Sequence, residues 1–179
     1  MAQRKNVLVI IGSASADSSS EKLALNFARQ TEAVFTTTVY NVLKTLPHFD
    51  PGLSVANPPE AIVALRQEIA QADGVLICTP EYIFSMPSGL KNAIEWCVAT
   101  TVFSEKPVGL ITASASGVKG HEELKRIMQT VGALFTDATT LLIQGIKGKL
   151  NGEGHITDQD TEMRFNHFVD AFKKLVTGQ

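Results

Sequence analysis

The sequence predicts an α/β fold, a three-layer sandwich in which a five-stranded parallel sheet lies between two layers of helices. Three observations predict it. Five short aliphatic runs recur along the chain, the pattern of strands covered on both faces. Stretches with apolar residues at helical spacing separate them. Val75, Val108 and Leu141 fall about 33 residues apart, the length of one strand–helix–strand unit. Right-handed crossovers between such units make the strands parallel.

The first strand is Asn6 to Ile11, nearly all aliphatic, and Gly12 ends it. A small polar loop follows, Ser13-Ala14-Ser15-Ala16-Asp17-Ser18-Ser19-Ser20, opening a helix from about Ser18 to Ala33 with Leu23, Ala24, Phe27 and Ala28 inward. Phe35 to Tyr40, rich in Thr and Val, is the second strand. Leu46 to Gly52 is turn-rich, and Asn57-Pro58-Pro59 marks a boundary before a helix to Gln71 with Ile62, Leu65 and Ile69 inward. Gly74 to Cys78 is the third strand, stopped by Thr79-Pro80. Pro87 suits a helix start, and Leu90, Ala93, Ile94, Cys97 and Val98 form one apolar helical face. Pro107 to Ala113 is the fourth strand, followed by a small-residue loop from Ser114 to Gly120 and a helix carrying Leu124, Ile127, Met128 and Val131. Thr139 to Ile143 is the fifth strand, Gly145 to Gly154 a loose Gly-rich segment, and Phe165 to Val176 the last helix. No repeat or linker divides residues 1–179, so one domain is expected. Five strands with these crossovers imply the flavodoxin-like order 2-1-3-4-5, with its switch point between strands one and three.

Hydrophobic residues at 44% against 19% charged exclude a disordered chain. A net charge of −2 and no basic cluster longer than Arg4-Lys5 argue against nucleic acid as a partner. The apolar run after Arg4-Lys5, Val7 to Ile11, is shorter than the roughly 7 to 15 residues of a signal peptide. No run approaches the about 20 apolar residues of a membrane span, so a cytoplasmic protein without membrane contact is expected. Cys78 and Cys97 sit within apolar patterns and are expected to be reduced core residues. His48, His121, His155 and His167 are scattered, so no metal site is expected, and His121 and His167 are expected at the surface.

In this strand order the loops after strands one, three and four meet at one crevice, where open α/β sheets bind ligands. Gly12 permits a sharp turn, and the helix start that follows presents free N–H groups and a positive dipole end. Ser13, Ser15, Ser18, Ser19 and Ser20 add hydroxyls, so this loop is a candidate phosphate cradle. Asp17 and Glu21 oppose an anion there, and Lys22 is the only cation of the stretch. The alternative is an ordinary serine-capped strand–helix turn. The second loop, Glu81-Tyr82-Ile83-Phe84-Ser85 after Pro80, offers backbone amides and one phenol to a flat heterocycle, and Pro80 to Phe84 are candidate cofactor residues. The third, with Ser114, Ala115 and Gly117, is small enough for close backbone approach. No G-x-S-x-G elbow, P-loop or G-x-G-x-x-G fingerprint is present.

The stretch Thr79-Pro80-Glu81-Tyr82-x-x-Ser85-x-Pro87-x-x-Leu90-Lys91-Asn92-Ala93-Ile94-Glu95-Trp96 resembles the signature of the NADPH-dependent FMN reductase family, which includes quinone, chromate and azo-dye reductases. Gly12-Ser13 with Ser18, Leu46-Pro47-His48-Phe49-Asp50, Lys106-Pro107-Val108 and Ala113-Ser114 are similar to further segments of that family. The resemblance covers about residues 6 to 135. It implies FMN as cofactor, NADPH or NADH as hydride donor, and a small-molecule electron acceptor such as a quinone, free flavin, azo compound or metal oxyanion. It implies that Ser13 to Ser20 hold the phosphate while Glu81 to Phe84 and Ser114 line the ring, with the redox chemistry carried by the cofactor and no catalytic side chain. It also implies a homodimer or homotetramer, in which Tyr82 and Leu46 to Phe49 shape the outer face.

The chain departs from the family pattern at Ser15 for Arg, Ser20 for Asn, Ile83-Phe84 for Asn-Gly, and Ala115-Ser116 for a Gly pair. Asp17, Glu21, Ile83 and Phe84 motivate a second reading, a flavin-free binding or interaction protein with a degenerate FMN site; Phe84 either fills part of the ring position or reshapes the substrate pocket. A third reading, a one-electron carrier, fits poorly, because carriers use strongly acidic partner surfaces.

Overall fold

The computed structural model describes residues 3–179. Five parallel strands, β1 (Lys5–Ile11), β2 (Phe35–Tyr40), β3 (Gly74–Thr79), β4 (Val108–Ser114) and β5 (Thr140–Gln144), form one sheet in the order β2-β1-β3-β4-β5. The flavodoxin-like order is therefore as the spacing predicts. The helices are α1 (Ser19–Thr31), α2 (Pro51–Ser54), α3 (Glu60–Gln71), α4 (Ser88–Cys97), α5 (Val118–Thr130) and α6 (Gln159–Thr177).

The period-two alternation of each strand sorts its side chains between two cores. Leu8 and Ile10 of β1, Val75 and Ile77 of β3, and Val108 and Leu110 of β4 face Ile62, Leu65, Leu90, Ile94, Leu124 and Met128 of α3, α4 and α5. Val7, Val9 and Ile11, Leu76 and Cys78, and Ile111 and Ala113 face Leu23 and Phe27 of α1 and the phenylalanines of α6. Ile10 stands beside Ile77, and Ile77 beside Leu110, so the strand ends that carry the loops are in step across the sheet. On the α6 side, Phe27, Phe35 and Phe172 meet with ring centroids 5.8 to 6.2 Å apart.

Several local expectations are corrected. Val98 is exposed and not on the inward face of α4: the helix ends at Cys97, and Val98 is its C-cap. The one-turn helix α2 was not expected, although Asp50 caps it by accepting from the Gly52 N–H at 2.8 Å and Pro51 fills its first position. Only Ala115 to Gly117 of the third small-residue stretch is loop, because Ser114 ends β4 and α5 begins at Val118. The segment after β5 is not loose: Ile146–Gly148 forms a 3-10 turn, Ile146 is buried, and Leu150 pairs with Ile156.

The signature residues of α4 hold the turn-rich segment against the helix. Asn92 donates to the Pro47 carbonyl at 2.9 Å and accepts from the Phe49 N–H at 2.8 Å. The buried Trp96 donates its indole N–H to the same Pro47 carbonyl at 2.9 Å, while Phe49 packs edge-on against its ring. Arg66 of α3 donates to the Trp96 carbonyl and to Ser54, locking α2, α3 and α4 together. A motif legible as a family signature thus has a local physical purpose beside the crevice.

Candidate active site

Pairing of β1, β3 and β4 brings the three loops to one hollow of about 620 Å³, within the roughly 300–1,000 Å³ of small-molecule sites. Of the residues singled out from sequence, Ser13, Ser15, Ser18, Ser19, Ser20, Pro80, Glu81, Tyr82, Ser114 and Ala115 line it. Ile83, Phe84 and Gly117 do not. Gly145, Ile146 and Lys147, from the turn after β5, complete the wall. The sequence reading missed that turn because it took 145–154 as loose, yet β5 follows β4 in the sheet, so its loop necessarily leaves from the same edge.

The first loop is built as a cradle. Ser18 caps α1, accepting from the Glu21 N–H at 3.2 Å, so the capped turn offered as the alternative is present. Ser13 accepts from the Ser15 N–H at 3.2 Å and meets the Tyr82 phenol at 3.3 Å, tying the first loop to the second. The two acids near the cradle are engaged. Asp17 pairs with Lys22 at 3.2 Å, and Glu21 accepts from Asn41 at 3.2 Å.

Besides lining the hollow, Glu81 uses its carboxylate for a second purpose. Gly117 caps α5 with φ +84 and no side chain, so the helix lacks its own acceptor. The Glu81 carboxylate supplies it, accepting from the Gly117 N–H at 3.1 Å and the Gly120 N–H at 2.8 Å. A negative group is favoured at that helix end. Glu123 of α5 returns the tie, accepting from the Ser85 hydroxyl at 2.5 Å and the Met86 N–H at 3.0 Å. Two carboxylates therefore stitch the second loop to the start of α5 and, at Gly117, to the third loop.

The tip of the second loop is a two-residue hairpin. Tyr82 and Ser85 exchange backbone hydrogen bonds at 2.9 and 3.1 Å around Ile83 at φ +50 and Phe84 at φ +58. Both central residues thus take the positive φ of a type I′ turn, where Asn-Gly is favoured and a β-branched residue is strained. Phe84 is 74% exposed and Ile83 95% exposed, and neither lines the hollow, so of the two alternatives for Phe84 the filling of the ring position is not met. Strain of about 1 kcal/mol or more at each position predicts that Ile83→Asn with Phe84→Gly stabilises the protein by about 1–2 kcal/mol, read as a higher urea midpoint.

His121 is half-buried and not at the surface as expected, its Nδ1 2.9 Å from the Thr112 hydroxyl beneath the third loop. Burial, with Lys125 adding to it and Glu122 opposing, pushes its pKa down to about 4. The unfolded chain takes up the proton near pH 6.5, so the stability held by neutral His121 is present above that pH and lost as pH falls toward 4. After allowance for solvent screening at this partly open site, His121→Gln should remove about 1–2 kcal/mol of the loss measured by urea unfolding between pH 7 and 4. His167 is exposed as expected. Cys78 and Cys97 are buried free thiols; burial pushes the Cys78 pKa up strongly and that of Cys97 to about 12. Among the described residues there is no cluster fit to hold a metal and no helix long and apolar enough to cross a membrane.

A flavodoxin-like sheet with three strand-end loops gathered around a hydroxyl-lined hollow at its switch point defines a class, the α/β proteins that seat a ligand above the carboxyl edge of the sheet. Comparison with known proteins makes the assignment more particular: residues 5–147 match the profile "NADPH-dependent FMN reductase", and the chain belongs to that family. It is 28% identical over 184 residues to a quinone reductase of Escherichia coli K12, covering 98% of this chain and 97% of the relative. It is 27% identical over 176 residues to a 2-hydroxy-1,4-benzoquinone reductase of a Burkholderia species, covering 95% of each. Among solved structures it is similar to FerB, a flavoenzyme NAD(P)H:(acceptor) oxidoreductase of Paracoccus denitrificans, at TM-score 0.83 and 27% identity over 97% of this chain and 98% of that one. A flavodoxin from the domain Archaea, at TM-score 0.61 and 11% identity over 95% of this chain and 98% of that one, shares the fold. The chain is an enzyme of the quinone reductase and FMN reductase kind.

Proposed function

We propose that the protein is an FMN-dependent NAD(P)H oxidoreductase that reduces a small acceptor of the quinone type. The observation that carries this is the open hollow of about 620 Å³, framed by the Ser13–Ser20 cradle, the Glu81-Tyr82 loop and the Ser114-Ala115 loop, and not filled by Phe84. These residues fit FMN: hydroxyls and a helix N-terminus for its phosphate, a groove between two tied loops for the rest. The bound cofactor would supply the hydride relay between nicotinamide and acceptor.

The chain's own residues do the rest. Ser13, Ser15, Ser19 and Ser20 bind and orient the phosphate end. The Glu81 carboxylate occupies the N-terminus of α5, so of the two helix ends near the hollow only that of α1 remains for an anion. Pro80, Tyr82, Ala113 and Ala115 wall off water. The Tyr82–Ser13 contact divides this hollow from a second one of about 340 Å³ bounded by Leu43, Leu46, Pro87 and Asn92, which suits the planar acceptor. A homodimer or homotetramer belongs to the same reading, with the adjacent exposed side chains of Ile83 and Phe84 at the loop tip as contact candidates.

Purified protein should be yellow, or quench FMN fluorescence on titration, and should oxidise NADPH when a benzoquinone is added. A colourless protein that leaves FMN fluorescence unchanged would return the reading to the flavin-free alternative.

A further inference from the structure

The hollow's charge balance singles out one residue. Its charged lining is Asp17, Glu81 and Lys147. Asp17 is already paired with Lys22, and Glu81 already holds two backbone N–H groups of α5. The Lys22 stem is fixed as well, packed where a Cβ on Gly154 would lie 2.9 Å from its Cγ. Lys147 is the lining charge whose ammonium has no ion pair or hydrogen bond among the described residues.

The chain also positions it. Gly145, at φ +62, starts the 3-10 turn and donates its N–H to the Ala115 carbonyl of the third loop at 3.1 Å. Ile146, 4% exposed, anchors the turn in the core shared by α1 and α6. Lys147 is therefore the middle residue of a turn tied at its start by Gly145 and anchored by Ile146, on the wall that the first loop's serines share. The first loop itself carries no arginine.

Resting on the FMN reading above, we infer that Lys147 is the cation that receives the phosphate dianion in this hollow, supplied from the turn after β5 instead of from the serine loop. A lysine acts there as a flexible point charge, so its contribution is electrostatic, sensitive to salt, and specific for the phosphorylated ligand.

The test compares FMN with riboflavin, which has the same ring and no phosphate, by fluorescence-quenching titration of the apoprotein. Wild type, Lys147→Met, Lys147→Glu and Lys147→Arg are titrated at low and high salt, with melting temperatures recorded for each. The Met variant should bind FMN about fivefold to tenfold more weakly and the Glu variant at least about fiftyfold more weakly, with riboflavin shifted by less than about twofold. The Arg variant should retain FMN affinity, and high salt should narrow the gap between wild type and Met. Equal losses for FMN and riboflavin would reduce Lys147 to a structural role, and unchanged FMN affinity in the Glu variant would remove it from the site; either overturns the inference while leaving the FMN reading intact. Wild-type protein that binds neither flavin overturns the FMN reading itself and this inference with it.

Discussion

Replacing Glu81 with alanine is expected to lower stability by about 2–3 kcal/mol and FMN affinity at least tenfold. The substitution leaves the N–H groups of Gly117 and Gly120 without their acceptor and removes a negative charge from the N-terminus of α5. Water can reach part of the gap, which keeps the stability loss below that of a fully buried pair. The affinity loss has a separate origin. Ser114 donates to the Glu81 carbonyl at 3.4 Å, so the second and third loops meet at this one residue through both main chain and side chain. Once the carboxylate is gone, the ties left are the Ser114 hydroxyl on the residue-81 carbonyl and, from α5, Glu123 on Ser85 and Met86. Ordering the loops then has to be supplied by the ligand, which lowers its affinity. Glu81→Gln separates charge from shape. Its single carbonyl satisfies one of the two amides and its NH₂ faces the other, so about half of the stability loss should remain. Urea unfolding with FMN titration of both variants checks this. An alanine variant as stable as wild type would mean that solvent satisfies both amides and that the carboxylate is not the tie.

The sheet was legible because its signals are repeated and local. β1, β3 and β4 are aliphatic runs bounded by Gly or Pro, and each is buried along nearly its whole length, as a strand covered on both faces is. Spacing then gave the crossovers, and the crossovers gave the strand order. The first loop was legible for the same reason, a glycine followed by serines at a helix start. What escaped was whatever depends on residues distant in sequence. Glu81 read as a loop residue because its partners lie 36 and 39 positions later, and no helix cap was visible near Gly117. His121 read as a surface residue because a helix start is usually solvated, whereas its ring turns in to the Thr112 hydroxyl of β4 and is half-buried. Ile83-Phe84 gave no turn signal, since neither residue favours positive φ. The structure imposes that geometry through the Tyr82–Ser85 pairing at the cost of local strain. Lys147 was missed because Gly145 and Gly148 suggested looseness, while buried Ile146 between them was the clue to an anchored turn.

Gly12→Ala should be the most disruptive single methyl addition at the site, costing about 3 kcal/mol. Gly12 follows β1 directly and donates its N–H to the Cys78 carbonyl at 2.8 Å, so its Cα is held against β3. A Cβ there would lie 2.4 Å from Thr79 Oγ1, 2.7 Å from Thr79 Cβ and 3.0 Å from Leu90 Cδ2. Neither neighbour can yield easily. Thr79 is β-branched, 1% exposed, and donates its hydroxyl to the Pro80 carbonyl at 3.0 Å, and Leu90 is fully buried under α4. Relief therefore requires the ends of β1 and β3 to part. Those ends carry the Ser13 and Glu81 loops, so the two loops would separate, and on the proposed reading FMN affinity would fall with stability. Thr79→Ala removes the 2.4 Å clash but leaves the Cβ contact, so the double variant should be less destabilised than the sum of the singles, a coupling a double-mutant cycle measures. Gly148→Ala is the control: a Cβ there meets nothing within 4 Å, and its effect should stay within about 0.5 kcal/mol. A Gly12→Ala protein melting with wild type would show that the strand ends yield freely, and the close packing of β1 on β3 would then not be what holds the cradle in register.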